Sequence, residues 1–307
     1  MSVLTQHLDE YLRLRRGLGH QLADSARLLP SFIDYLEALG ISTITVDAAL
    51  FWSQRPDADP TSSVWLRRMT AVRGFARYMS GIDPETEIPP LGLVTFRRRW
   101  RPPFIYSESD VLALMEEVPR LIPTPLRAAT FQTMIGLLAA TGMRVGEAIA
   151  LRRADVDWVE GIVVVRGAKF NKSRELPLDK STTEALSAYA LLRDQIVVEP
   201  VSPTFFLSRK GTAVIYADFS EKFRELVRTT GVGAGSPARP RIHDLRHSFA
   251  VKTLIGWYGE GLDVGALLPR LSTYLGHLTP GHTYWYLSAA PELLELAGAR
   301  LEKRSRR

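Results

Sequence analysis

Six residues in the second part of the chain could together act on a phosphate ester. They are two arginines, a lysine, two histidines and a tyrosine: Arg144, Lys169, His243, Arg246, His277 and Tyr286. Attack on a phosphodiester builds negative charge on the phosphate oxygens, which two planar guanidinium groups can neutralise. A lysine or histidine can protonate the leaving oxygen, and a tyrosine can hold the phosphate covalently. These residue types fit phosphoryl transfer without a metal ion or another cofactor, but alone they do not select it over other reactions.

Other chemistries have weaker support in the sequence. The chain has no cysteine, which excludes disulfides, cysteine-ligated zinc and a thiol nucleophile. It also has no GxxxxGK(S/T) loop for a nucleotide. His243 and His247 have the spacing of two zinc ligands on one helix face, but Arg246 between them opposes a bound cation. We therefore predict no metal site.

The composition is that of a globular protein with an excess of basic residues. Of 307 residues, 46% are hydrophobic and 23% are charged, which suffices for two domains with buried cores. The net charge of +6 suits a polyanionic partner where the basic residues cluster. The clustered basic residues that could contact the backbone of a nucleic acid are Arg67, Arg68, Arg73, Arg77, Arg97, Arg98, Arg99 and Arg101, together with Lys172.

The N-terminal sequence does not resemble a secretion signal. The segment MSVLTQHLDEYLRLRRG contains acidic residues and has no apolar core. No apolar stretch reaches the roughly 20 residues that a helix needs to span a bilayer. We expect a cytoplasmic protein without a membrane partner.

The elements that must position these residues fall into two predicted domains. Residues 1–95 show the period-3.6 apolar pattern of short helices, which predicts an N-terminal helical domain. Its helix at residues 62–79 is expected to carry its arginines largely off the apolar face. Residues 96–105 are basic and rich in proline, which predicts a linker. Residues 106–307 would form the catalytic domain.

The predicted catalytic domain is mainly α-helical with a small antiparallel β-sheet. Ser107 is a predicted helix N-cap, and an apolar helix from Pro125 to Ala140 is expected to end at Thr141-Gly142. Two strand patterns, at residues 162–166 and 174–178, flank a turn and predict a hairpin. A further turn is predicted at residues 155–157.

Four local strings and their order resemble the tyrosine recombinases, the family of phage integrases and Xer-like recombinases. ATGMRVGEAIAL is similar to the first-arginine motif, with Glu147 in the supporting helix, and VVVRGAKFNKSRELPL is similar to the β-hairpin that carries the lysine. RIHDLRHSFA resembles the His-x-x-Arg box, and YLGH precedes the nucleophile position. The residues that the resemblance selects are Arg144, Lys169 rather than Lys172, His243, Arg246, His277 and Tyr286, with Tyr284 as the alternative nucleophile.

The resemblance implies a two-domain enzyme, with residues 1–95 as its DNA-binding domain and residues 106–307 as its catalytic domain. Such an enzyme binds duplex DNA at specific recombination sites and cleaves one strand per protomer. Tyr286 would form a 3′-phosphotyrosine and leave a free 5′-hydroxyl. In the rejoining step, the cleaved strand would be joined to a partner strand. Arg144 and Arg246 would stabilise the transition state, Lys169 would protonate the leaving oxygen, and the two histidines would assist.

The resemblance also implies a homo-tetramer on DNA, or a hetero-tetramer with a related recombinase. Two alternatives remain, a type IB topoisomerase that rejoins the original strand and a DNA-binding regulator without catalysis. The segment between Arg246 and His277 is longer than in compact Xer-type members, which predicts an extra loop or a longer helix junction there.

Overall fold

The computed structural model describes residues 2–20, 22–57, 62–95, 102–168, 172–277, 279 and 281–288. The chain divides into two compact units, Met1–Trp100 and Arg101–Arg307, called the first and the second unit below. Most of the predicted linker at residues 96–105 lies outside the described residues. No helix within the described ranges is long and apolar enough to cross a membrane.

The first unit contains four described helices around one apolar core: α1 Val3–Gly17, α2 Ala23–Ala38, α3 Val46–Ser53 and α4 Val64–Met79. The side chain of Thr45 caps the start of α3 by accepting from the backbone nitrogen of Ala48 at 3.2 Å. Apolar residues three or four positions apart place one face of each helix inward. Phe32, Trp52 and Phe75 are fully enclosed in this core.

Two arginines of α4 lie inside the first unit, contrary to the expectation that the arginines avoid the apolar face. Arg73 is buried and donates from Nε and Nη2 to the carbonyl oxygens of residues 89 and 90, at 2.7 and 2.8 Å. Arg68 forms a bidentate ion pair with Asp57, at 3.0 and 2.7 Å, and lies 5.4 Å from the ring centre of Trp52. Partners within the first unit therefore hold both guanidinium groups in place.

The second unit contains helices α5 Glu108–Leu121, α6 Pro125–Thr141, α7 Val145–Ala150, α8 Lys180–Ile196, α9 Tyr216–Thr230, α10 Ile242–Gly259, α11 Val264–Leu275 and α12 Gly281–Tyr284. A 3₁₀ turn at Arg153–Asp155 follows α7, and another at Trp285–Ser288 follows α12.

The predicted helix boundaries of α5 and α6 are confirmed. The Ser107 hydroxyl accepts from the backbone nitrogen of Asp110 at 3.0 Å, and the Asp110 carboxylate accepts from that of Ser107 at 2.8 Å. Helix α6 ends at Gly142, whose φ of 61° is the left-handed conformation that glycine adopts easily. Helix α6 is buried on several sides, including at Phe131, Met134 and Leu138.

A three-stranded antiparallel sheet in the order β1-β2-β3 is formed by β1 Val156–Asp157, β2 Ile162–Ala168 and β3 Lys172–Pro177. The predicted hairpin is therefore present, while the turn predicted at residues 155–157 is a 3₁₀ turn followed by the short β1. Val163 pairs with Leu176 and Val165 with Arg174. Because side chains alternate along a strand, Arg174 lies on the same buried face as Leu176.

The long segment between Arg246 and His277 is folded as two helices. Helix α10 continues to Gly259, and the side chain of Asp263 caps α11 by accepting from the backbone nitrogen of Ala266 at 3.3 Å. The longer helix junction that the sequence predicts here consists of the C-terminal part of α10 and the short connection from α10 to α11. The chain is thus mainly α-helical with a small antiparallel sheet, as predicted.

Candidate active site

Three arginines meet at the C-terminal end of α11. The last carbonyl groups of a helix have no intrahelical partner and carry partial negative charge. Arg174 Nε, Arg246 Nη2 and Arg144 Nη2 donate to the carbonyl oxygens of residues 274, 275 and 276, at 2.7, 2.6 and 2.9 Å respectively. Three consecutive backbone acceptors therefore fix three cations that come from distant parts of the sequence.

Gly276 makes this arrangement sterically possible. Its φ of 67° lies in the left-handed region. A Cβ atom at this position would lie 2.9 Å from Nη1 and 3.1 Å from Cζ of Arg174. A larger residue here would push Arg174 away from the helix end.

Arg246 is the most deeply buried cation of the group. It is 2% exposed, and its Nη1 donates to the carbonyl oxygen of Gly142 at 2.8 Å, in addition to the α11 contact. Burial, together with the nearby charge of Arg144, lowers the pKa of Arg246 to about 10. The guanidinium is still charged at neutral pH, held between the ends of α6 and α11.

Glu147 links Arg144 to the sheet. Its Oε1 accepts from Arg144 Nη1 at 2.8 Å and from Arg174 Nη1 at 3.0 Å, and its Oε2 accepts from Arg174 Nη2 at 2.7 Å. Burial alone would raise the pKa of Glu147, but the hydrogen bonds and charges of the two arginines lower it to about 2. The Arg144 side chain remains 37% exposed, so an incoming anion can reach its guanidinium.

Tyr286 lies beside this group of cations in the 3₁₀ turn after α12. Its side chain is 2% exposed, and its ring is nearly parallel to that of His277, with centroids 6.1 Å apart. Its hydroxyl oxygen lies 3.2 Å from Nδ1 of His247. Burial raises the pKa of Tyr286, while the charge of Arg246 acts in the opposite direction. His277 is itself held by Thr283, with 2.8 Å between Nδ1 and Oγ1.

The neighbouring tyrosine lies in a different environment. Tyr284 is 51% exposed, whereas Tyr286 belongs to an apolar cluster with residues of α10 and α11. The structure therefore places Tyr286, and not Tyr284, next to Arg246 and the histidines.

His247 is a residue of this site that the sequence reasoning did not select. It was considered only as half of a zinc pair with His243. The rings of His243 and His247 are 4.8 Å apart and perpendicular, because residues four positions apart share a helix face. The spacing of four residues indicates that His247 lies on the same helix face as His243. It does not indicate that the ring of His247 contacts Tyr286.

His243 lies at the rim of the site and keeps an exposed edge. Partial burial and the charges of Arg246, Arg144 and Arg241 lower its pKa to about 4. Its imidazole is therefore neutral at neutral pH and can donate a hydrogen bond to a phosphate oxygen.

Several predicted residues lie outside the described residues, namely Lys169, Arg97, Arg98, Arg99 and Arg101. The backbone of Lys172 pairs with Ala168 at the end of the hairpin. Arg67 and Arg77 are exposed on α4.

A cavity of about 440 Å³ lies elsewhere in the second unit, between α6 and α8, lined among others by Met115, Gln132 and Tyr189. None of the site residues above lines it. Within the described ranges, no group of three or more histidine or acidic side chains is placed to hold a metal ion.

Comparison with known proteins gives a consistent result. Residues 106–292 match the Phage integrase family. The integrase/recombinase y4rB of Sinorhizobium fredii (strain NBRC 101917 / NGR234) is 42% identical over 99% of this chain and 98% of its own length. Tyrosine recombinase XerD of Staphylococcus saprophyticus subsp. saprophyticus is 27% identical over 93% of this chain and 94% of its own length.

Solved structures share the fold at lower identity. The Tn1549 transposon integrase in complex with transposon right end DNA covers 99% of this chain and 100% of its own, with a TM-score of 0.65 at 16% identity. The crystal structure of XerA recombinase covers 97% and 98%, with a TM-score of 0.52 at 21% identity.

The helical fold, the short sheet and the cluster of arginines, histidines and a tyrosine define a strand-transferring DNA recombinase. The chain belongs to the Phage integrase family and is a site-specific tyrosine recombinase. The function predicted from the sequence motifs is confirmed at this level.

Proposed function

We propose that this recombinase cleaves duplex DNA through Tyr286, leaving a 3′-phosphotyrosine and a free 5′-hydroxyl. The 5′-hydroxyl of a partner strand then attacks the phosphotyrosine, which rejoins the DNA and frees the tyrosine. The ester keeps the energy of the broken bond, so no nucleotide is consumed. The observation that carries the proposal is the position of the Tyr286 phenol against the charge of Arg246 and the ring of His277.

Arg144 and Arg246 are proposed to neutralise the charge of the pentavalent transition state. Both are fixed by backbone carbonyl groups before DNA arrives, so little reorganisation is needed during the reaction. The exposed edge of Arg144 gives a phosphate access. His243 and His277 are proposed to contact the phosphate, and Lys169 to protonate the leaving 5′-oxygen.

We further propose that residues 1–95 and 106–307 act as a DNA-binding and a catalytic domain on the same duplex. The exposed Arg67 and Arg77 of α4 are proposed to contact the DNA backbone. Arg68 and Arg73 are left out of this interface, because Asp57 and the carbonyl oxygens of residues 89 and 90 hold their guanidinium groups within the first unit. Arg97, Arg98, Arg99, Arg101 and Lys172 remain proposals from the sequence, as does a tetramer on paired recombination sites.

Covalent trapping tests the proposal. The protein is incubated with overlapping duplexes that tile the DNA flanking its own gene, and denaturing gels are examined for a protein–DNA adduct. We expect an adduct with the unchanged protein and with Tyr284→Phe, and none with Tyr286→Phe. An adduct that persists in Tyr286→Phe and disappears in Tyr284→Phe would transfer the nucleophile to Tyr284. Absence of any adduct on bound DNA would contradict the catalytic assignment.

A further inference from the structure

The phenol of Tyr286 has a histidine partner that the catalytic motifs do not assign. Nδ1 of His247 lies 3.2 Å from the Tyr286 hydroxyl oxygen, and the ring centroids are 5.4 Å apart. His243, which stands at the family's histidine position, contacts the edge of His247 instead. The imidazole of His247 is therefore within hydrogen-bond distance of the attacking oxygen.

The orientation of His247 is fixed by packing. Trp285 lies against its ring with 5.2 Å between centroids, and His243 contacts it one helical turn earlier on α10. In the tautomer that carries its proton on Nε2, Nδ1 has a free lone pair directed at the hydroxyl group of Tyr286. The phenol can then donate its hydrogen to His247, which is the geometry required for proton abstraction.

The surroundings of His247 keep it unprotonated before DNA binds. Burial lowers its pKa to about 3, and the groups that face it, His243, Arg241, Arg246 and His277, act in the same direction. A bound DNA phosphate brings a negative charge to Arg144 and Arg246. This charge offsets the cationic contribution and moves the pKa of His247 back toward the range of an effective base.

We propose that His247 accepts the phenolic proton when Tyr286 attacks DNA, an inference that rests on the proposed role of Tyr286 as nucleophile. The Tyr286 oxygen forms a bond to phosphorus, and its proton passes to Nδ1 of His247. The bond between phosphorus and the 5′-oxygen breaks, and that oxygen takes a proton from a separate donor, the ammonium group of Lys169. In the rejoining step, the protonated His247 returns its proton to the departing tyrosine.

The decisive variant is His247→Asn. The asparagine amide places a hydrogen-bond acceptor near the position of Nδ1 but cannot take up a proton at neutral pH. Adduct formation is followed under single-turnover conditions, with duplexes that trap the unchanged protein. At neutral pH we expect a rate about 10²- to 10³-fold lower, as for loss of a general base. The rate of the variant should rise roughly tenfold per pH unit above neutrality, because the phenolate must form without help.

His243→Asn is the matched control on the same helix face. It should react more slowly through loss of a phosphate contact, while its rate keeps the pH dependence of the unchanged protein. A role of His247 in packing alone would likewise leave the pH dependence unchanged. A His247→Asn rate within about threefold of the unchanged protein, or a slower rate with the same pH profile, therefore overturns the inference.

A sulfur-substituted substrate separates the two proton transfers. A duplex with a 5′-bridging phosphorothiolate has a thiol leaving group that needs no protonation. We expect this substrate to restore adduct formation by Lys169→Ala and not by His247→Asn. Restoration of His247→Asn would place His247 at the leaving group and overturn the proposal.

Two further measurements keep the outcome unambiguous. If thermal denaturation shows that His247→Asn is unfolded, His247→Gly is assayed with added imidazole. The free imidazole should act as the base and restore the rate of adduct formation. A folded His247→Gly whose rate is not restored by imidazole contradicts the proposal. Tyr286→Phe is assayed in parallel. An adduct formed by Tyr286→Phe would contradict the role of Tyr286 as nucleophile. If Tyr286→Phe forms no adduct but His247→Asn reacts like the unchanged protein, Tyr286 remains the nucleophile and only the proposed role of His247 is contradicted.

Discussion

Two buried arginines, one in each unit, use the same local chemistry for different ends. Arg73 in the first unit and Arg246 in the second each donate to two backbone carbonyl oxygens, at 2.7 and 2.8 Å and at 2.8 and 2.6 Å. Both side chains are nearly inaccessible, with 9% and 2% of their surface exposed. Burial and hydrogen-bonding pattern alone would not distinguish a structural arginine from one in an active site.

The difference is in what surrounds each guanidinium. Arg73 joins α4 to the segment that contains Pro89 and Pro90. Arg246 lies close to the charge of Arg144 and to the phenol of Tyr286. Convergence of a second cation and a nucleophile, rather than burial of an arginine, therefore marks the candidate site.

The sharpest test of this comparison removes each guanidinium in turn. Arg246→Met should slow adduct formation by about 10²- to 10⁴-fold, because a donor aimed at the developing charge is lost. Arg73→Met should leave the rate within about threefold below its melting temperature. It should instead destabilise the protein by about 1–3 kcal/mol, because two backbone carbonyl groups, that of residue 89 being buried, lose their donor.

Single-turnover trapping and thermal denaturation of both variants measure this contrast. A large rate loss in folded Arg73→Met would show that the first unit contributes to the chemistry, and the distinction drawn here would fail.

A smaller effect is expected from the carboxylate that orients Arg144. Glu147→Gln removes the charge that holds Arg144 and Arg174 together, so the two guanidinium groups repel each other. We expect adduct formation to fall about 10- to 100-fold through misplacement of Arg144. Glu184→Gln serves as a control, because Glu184 pairs with Lys180 on the exposed face of α8. A Glu147→Gln rate equal to that of the control would exclude an orienting role.

Acid should destabilise the second unit through its neutral histidines. Histidine has a pKa near 6.5 in the unfolded chain, whereas in the folded protein the pKa is about 4 for His243 and about 3 for His247. Below about pH 6.5 the unfolded chain therefore binds more protons, and stability falls as the pH falls. Glu147, with a folded pKa of about 2, adds a further loss below about pH 4.5.

Between about pH 6.5 and pH 4 we expect a loss on the order of 3 kcal/mol from His247. Calorimetry across this range should show a shallower decline in His247→Asn than in the unchanged protein. Parallel declines would indicate that His247 is not held neutral by the fold.

The smallest effects should come from the exposed arginines of α4. Arg67→Ala and Arg77→Ala should each weaken DNA binding a few-fold, and each should reduce the salt dependence of the binding constant by about one unit of slope. Arg68→Ala is the control, since its guanidinium is engaged by Asp57. Equal salt slopes for all three variants would remove Arg67 and Arg77 from the proposed DNA interface.

Local sequence patterns determined much of this protein. The Ser107 cap, the end of α6 at Gly142 and the hairpin of β2 and β3 depend on neighbouring residues, so they could be predicted. The order of the motifs likewise indicated the family and the six candidate residues. The chemistry of phosphoryl transfer follows from those residue types, because it requires cations and a nucleophile rather than a particular chain path.

Only the tertiary structure decided which side chains are free and which meet. Arg144 and its acceptor, the Gly276 carbonyl, are 132 positions apart, and Arg246 and the Gly142 carbonyl are 104 apart. Helical periodicity relates residues within a turn or two and does not specify such pairs. For the same reason, the burial of Arg73 and the contact of His247 with Tyr286 became apparent only in the folded chain, where residues 16 and 39 positions apart come into hydrogen-bond distance.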